Sequence, residues 1–106
     1  GVLIPTGLKI GVPKGYMLEV KNKSGIAFKK RLIVGACVVD SGYDGEVFVN
    51  LNNIGTKVAV IEPGQKIAQA VLVPVETCGV EEIENDDVYG DSTDRGNGGF
   101  GSTGDF

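Results

Sequence analysis

Four segments of this 106-residue chain carry side chains that could do chemistry. Lys23-Ser24-Gly25-Ile26-Ala27 sets a cation, a hydroxyl and a glycine at the expected start of a short helix. Unpaired backbone N–H groups there, with the hydroxyl and the charge, suit phosphate oxygens. Val34 to Glu46 contains Asp40-Ser41-Gly42-Tyr43-Asp44-Gly45 after an apolar strand, and reads as a β-hairpin with Tyr43 near its tip. A carboxylate ending a buried strand can orient and deprotonate a water, and a ring beside it can stack on a flat or cyclic group. Gly64-Gln65-Lys66-Ile67-Ala68-Gln69-Ala70 puts an amide donor, Gln69, in an otherwise mostly apolar strand. Arg95-Gly96-Asn97-Gly98-Gly99-Phe100-Gly101-Ser102-Thr103-Gly104 joins a bidentate cation, glycines that let backbone approach an anion, and one ring able to cover a base. Each segment also has a plain structural reading: a helix-capping serine, a turn aspartate with a surface tyrosine, a solvent-facing glutamine, a glycine-rich tail.

The rest of the composition narrows these options. There is no histidine, which excludes a His-based triad, a His-ligated metal and an imidazole base. Acid–base work must use carboxylates, lysines, tyrosine or bound water. Two cysteines, Cys37 and Cys78, make neither a disulfide scaffold nor a zinc site. The glycine-rich tail lacks the GxxxxGK[ST] spacing and a following helix, so it is not a Walker A loop. Net charge is −4, but seven of the ten basic residues lie between Lys9 and Arg31, and eight of the fourteen acids between Glu76 and Asp94. A local basic patch on an acidic protein suits a small anionic ligand better than nucleic acid. No apolar run reaches the ~20 residues of a membrane span, and no signal peptide is evident. The expected compartment is cytoplasmic (or nuclear or viral), not secreted, with no membrane partner.

Short strands must position these groups. Apolar or alternating stretches fall at Val2 to Ile10, Met17 to Lys21, Leu32 to Val39, Glu46 to Asn52, Lys57 to Ile61 and Ile67 to Val75, separated by Gly/Pro turns. That spacing predicts an antiparallel sandwich, jelly roll or barrel. Only Ser24 to Lys30 predicts a helix, with Ser24 as N-cap. From Gly90 onward little can be buried, so residues 1–89 are expected as a β core and 90–106 as a flexible arm.

In order and spacing, Lys-Ser-Gly-Ile-Ala, Val-Val-Asp-Ser-Gly-Tyr-Asp-Gly-Glu, Gly-Gln-Lys-Ile-Ala-Gln and Arg-Gly-Asn-Gly-Gly-Phe-Gly-Ser-Thr-Gly closely resemble motifs two to five of the trimeric dUTP diphosphatases (dUTPases). Pro5-Thr6-Gly7-Leu8 and Pro13-Lys14-Gly15 are similar to that family as well. The resemblance implies an all-β, jelly-roll-like subunit of the β-clip type, a homotrimer with active sites shared between subunits, and hydrolysis of dUTP to dUMP and pyrophosphate, limiting uracil in DNA. It implies Mg2+ held by the substrate phosphates and water, with no direct protein side-chain ligand. Asp40 would activate the attacking water, and Ser24 would contact the oxygen bridging the α- and β-phosphorus atoms. Lys23, Gly25 and Gln69 would hold the phosphates. Backbone from Gly35 through Val39 to Asp40 would read the uracil edge, and Tyr43 would pack on deoxyribose. Arg95 would reach the γ-phosphate, Phe100 would cover the base, and Gly101, Ser102 and Thr103 would close on the triphosphate.

The sequence also departs from the family. Nothing matches the first motif, Ala-Gly-Asp-Leu-like, so the chain is expected to be a fragment, a processed product or a short variant. Lys23 stands where the family has an arginine, and Cys37 where a glycine is common. Asp44 is acidic where a basic or neutral residue is frequent. Two alternatives stand beside hydrolysis: a non-catalytic trimerisation or interaction module, and a dCTP deaminase relative, whose arginine-serine-serine pattern is not apparent.

Overall fold

A computed structural model describes residues 1–106 as strands with one short helix. The strands are β1 (Val2–Pro5), β2 (Tyr16–Asn22), β3 (Leu32–Val34), β4 (Val38–Asp40), β5 (Phe48–Asn53) and β6 (Ala68–Pro74), with α1 (Ser24–Lys30) between β2 and β3. They form two three-stranded antiparallel sheets, ordered β1-β5-β3 and β4-β2-β6. Period-2 alternation sets the inner faces. Leu18 and Val20 of β2 are buried while Glu19 is not, and Val49 and Leu51 of β5 are buried on either side of Asn50. Val20, Leu32, Val49 and Leu51 form the central cluster, with Ile4, Ile26, Val34 and Ile67 packed around it.

Three expectations are corrected. Leu32 to Val39 is two strands in different sheets, because the chain crosses between them at Gly35-Ala36-Cys37. The Gly35 and Ala36 N–H groups donate to the Asn50 backbone carbonyl (2.9 Å) and Asn50 Oδ1 (3.0 Å), and the Cys37 carbonyl accepts from Val20 N–H (2.7 Å). Lys57 to Ile61 is not a strand: Ala59 and Ile61 pack on the core, but no neighbouring strand pairs with the segment. Ser24 is not the N-cap. Lys23, at φ −95° and ψ 129°, takes that position, so Ser24 is the first helical residue.

The chain is spread thin. Its accessible surface is 8862 Å2, against about 5,700 Å2 for a compact monomer of this mass. Its radius of gyration is 19.2 Å, against about 13 Å for a compact domain of this length. Only seven residues are buried. Val75 N–H donates to the Gly15 carbonyl (2.9 Å), and beyond Val75 every hydrogen bond is local. The extra surface is therefore largely an extended C-terminal segment.

Candidate active site

Asp40 ends β4, opposite Met17 of β2. The turn after it is closed by Tyr43 N–H donating to the Asp40 carbonyl (3.2 Å), and Ser41 Oγ donates to the Val12 carbonyl (3.1 Å). This turn is not a hairpin, as the sequence suggested: β4 pairs with β2, whereas β5 pairs with β1 and β3, so the turn is a corner between sheets. That corner leaves a cavity of about 190 Å3, lined by Ala36 to Asp40 and Tyr43 with Val20 and Phe48. Its walls are mostly apolar with one carboxylate at the rim, a composition suited to a flat ring with polar edges.

The tyrosine is held in place by its neighbours. Tyr43 Oη donates to the Glu46 carbonyl (2.7 Å). A Cβ on Gly45 would collide with the Tyr43 ring and hydroxyl, so only glycine lets the ring lie there. Val20, Phe48, Gly45 and Glu46 were not singled out from sequence as site residues. The sheet-to-sheet corner that aims them depends on strand pairing, which no local pattern encodes. Gly35 faces a similar constraint, since a Cβ there would collide with Asn50 Oδ1 and Asn52 Nδ2.

A second group of candidates gathers at the other end of β2. Gln69 lies opposite Lys21, and its Nε2 donates to the Asn22 carbonyl (2.7 Å). Asn22 Oδ1 in turn accepts from Val34 N–H (2.7 Å). The next residues are Lys23, Ser24 and Gly25, so these three and Gln69 share one edge of the sheet. Lys21 is neutralised by Glu19 (2.8 Å), whose hydrogen bond and charge raise the lysine's pKa, leaving Lys23 as the cation without an ion-pair partner. The Ser24 hydroxyl makes no hydrogen bond within the chain. In the tail, Arg95 Nε donates to the Gly98 carbonyl (2.8 Å), and Phe100 is fully exposed at a left-handed φ of 51°. Gly101 also has positive φ, and Ser102 N–H donates to the Gly99 carbonyl (3.1 Å).

Distance separates the two groups. The register puts Asp40 beside Met17 and Gln69 beside Lys21, with Ser24 just past Asn22. From Met17 to Asn22 is about 17 Å of strand. One copy thus carries a ring-sized cavity with a carboxylate at one end of β2, a cation and hydroxyl at the other, and an unattached arm with an arginine and a phenylalanine. No cluster of three or more His, Cys, Asp or Glu residues is present to cage a metal, and no helix is long and apolar enough to cross a membrane.

Among solved structures, the dUTPase of Staphylococcus bacteriophage 80alpha with dUPNHPP matches 97% of this chain and 75% of its own, with a TM-score of 0.82 and 25% identity. A deoxyuridine 5'-triphosphate nucleotidohydrolase of Chlamydia muridarum is 41% identical over 105 residues, covering 97% of this chain and 70% of that protein. A Fusobacterium nucleatum relative of the same name is 40% identical over 105 residues. The dUTPase family model matches residues 1–104. The chain belongs to the dUTPase family.

Proposed function

We propose that this chain hydrolyses dUTP to dUMP and pyrophosphate in a homotrimer whose active sites are shared between copies. The observation that carries the reading is the Asp40–Tyr43 corner with its ring-sized cavity, in a chain whose relatives are named for that reaction. The base enters the cavity, where the backbone between Gly35 and Asp40, including Val39, meets its polar edge. Cytosine would present a donor where uracil presents an acceptor, a mismatch that discriminates strongly. The Tyr43 ring, fixed by Gly45 and Glu46, packs against the sugar where a 2′-hydroxyl would not fit.

At the phosphates, a water held by Asp40 attacks the α-phosphorus. The water's proton passes to the Asp40 carboxylate as the bond to the α–β bridging oxygen breaks. Ser24 donates to that oxygen, while Lys23, Gly25 and Gln69 hold the chain. Positioning and charge neutralisation dominate phosphoanhydride hydrolysis, so no covalent nucleophile is needed. The ~17 Å between the Met17 and Asn22 registers supports sharing: Asp40 and Ser24 of one copy cannot serve one α-phosphorus, so they come from two. The arm then supplies Arg95 to the γ-phosphate and Phe100 over the base, with Gly101, Ser102 and Thr103 closing on the triphosphate and excluding water.

The residues present fit Mg2+ carried in on the substrate. Mg2+ is a hard cation that keeps several waters and is held mainly by substrate phosphate oxygens, and the Asp40 carboxylate lies at the rim of the cavity. Bound there, the ion would supply charge neutralisation to the phosphates; no side chain of this chain is assigned as its direct ligand. Pyrophosphate release with magnesium, compared for dUTP, dCTP and dTTP, tests the reading. Turnover of dUTP alone is expected. A folded trimer that leaves dUTP intact would overturn it.

A further inference from the structure

A concavity of about 710 Å3 lies away from both halves of the proposed site, between the C-terminal end of α1 and the loop after β5. Lys29, Lys30, Arg31 and Lys57 line it, and no carboxylate does. Lys30 Nζ is tied to the Val60 carbonyl (3.2 Å), and none of the four cations has an ion-pair partner. The groove is built with some strain. Arg31 takes the left-handed conformation (φ 57°) usual for glycine after a helix, and its N–H caps the Ile26 carbonyl. Its side chain lies against Gly55, where a Cβ would come within 2.9 Å of Arg31 Cβ. Asn53 braces the opposite wall, donating to the Lys57 carbonyl (2.8 Å) and accepting from Gly55 N–H (2.9 Å).

The same chain carries a complementary segment. Glu76 to Asp94 holds eight acids and no lysine or arginine, and all of it is exposed with only local hydrogen bonds. Its direction of departure favours the groove of another copy over its own. β6 runs from Ala68, near the α1 end of β2, to Pro74 opposite Tyr16, so the arm leaves the body heading away from its own groove.

We infer that the groove formed by Lys29, Lys30, Arg31 and Lys57 receives the acidic segment 76–94 of a second copy of this chain. This deepens the reading above and rests on it: the ionic contact anchors the stretch just before Arg95, so that Arg95 and Phe100 search a small volume around the neighbouring site rather than the whole reach of a free tail. Such a latch weakens with salt, because exposed charges are screened beyond about 8 Å at physiological ionic strength.

The test uses full-length protein, half of it 15N-labelled and co-refolded with unlabelled chain, treated with a water-soluble carbodiimide that joins only touching amines and carboxylates. Lys29 or Lys57 is expected joined to an acid within 76–94, in mixed-isotope pairs for about half of the products, as random mixing of copies requires. The yield should fall several-fold at about 0.5 M salt. In a Lys29→Glu/Lys57→Glu variant, the Gly79 and Gly90 amides should turn mobile, with order parameters below about 0.6. Absence of groove-to-arm links at low salt, links only within one isotope, or arm amides unchanged in the variant would overturn the inference. Sedimentation and dUTP turnover on the same samples separate the two readings. An active trimer without the links removes the latch alone, and linked copies without turnover remove the catalytic reading alone.

Discussion

Single residues carry the proposed chemistry, and each makes a separable prediction. With Asp40 as the water-activating carboxylate, Asp40→Asn keeps an acceptor of the same shape but no longer takes a proton. Turnover should fall by about 10²–10⁴-fold with nucleotide binding retained, measured by initial rates and by dUMP titration; unchanged turnover would remove Asp40 from that role. Gly45 and Glu46 act through Tyr43. Gly45→Ala forces the ring off the position set by its bond to the Glu46 carbonyl. The ratio of kcat/KM for dUTP over UTP should then drop, whereas Tyr43→Phe, which loses only the hydroxyl, should change it less. Equal ratios in wild type and Gly45→Ala would show that the ring's placement does not set sugar selectivity. Both residues stand in the sequence beside Asp40, but their work was not legible there: a glycine after a turn reads as a turn residue, and only the folded ring shows what its missing Cβ accommodates.

At the level of elements, the crossing between sheets at Gly35-Ala36-Cys37 shapes the cavity. Asn50 organises it from β5, with its side chain accepting from Ala36 N–H and its backbone from Gly35 N–H. Gly35→Ala should destabilise the fold by about 1–3 kcal/mol, the usual cost of overpacking, read as a lowered urea midpoint at fixed protein concentration. An unshifted midpoint would mean the asparagines move aside freely. Most strands were legible because one-sided burial writes alternation into the chain, as with Leu18 and Val20 or Val49 and Leu51. At Lys57 to Ile61 the alternation is real, since Ala59 and Ile61 face the core, but a side-chain pattern does not report whether a strand lies alongside. Leu32 to Val39 is the opposite case. It is apolar throughout, and only Gly35 hinted that the run breaks between two sheets. Residue preference favours Ser24 as a cap, yet the extended Lys23 takes that place, which leaves the serine hydroxyl without a partner in its own chain.

As a whole molecule, the chain exposes far more surface than a self-sufficient domain of its size, and its candidate residues sit at opposite ends of β2 with a third set on a detached arm. Sequence order revealed the motifs, but their separation in space needed the register of β2 with β4 and β6. Removing residues 94–106 should leave folding and assembly intact, judged by circular dichroism and sedimentation, and abolish most dUTP turnover. A truncated chain that failed to fold would make the arm structural rather than catalytic. In the proposed trimer one active site takes Ser24 from one copy and Asp40 from another, which complementation tests. Ser24→Ala and Asp40→Asn homotrimers should each be nearly inactive. Co-refolded in equal amounts, they should recover about one quarter of wild-type turnover, because that share of sites pairs an intact Ser24 with an intact Asp40. If the mixture stays as inactive as its parents, with mixed trimers demonstrably formed, each site is built within a single chain and is not shared between copies.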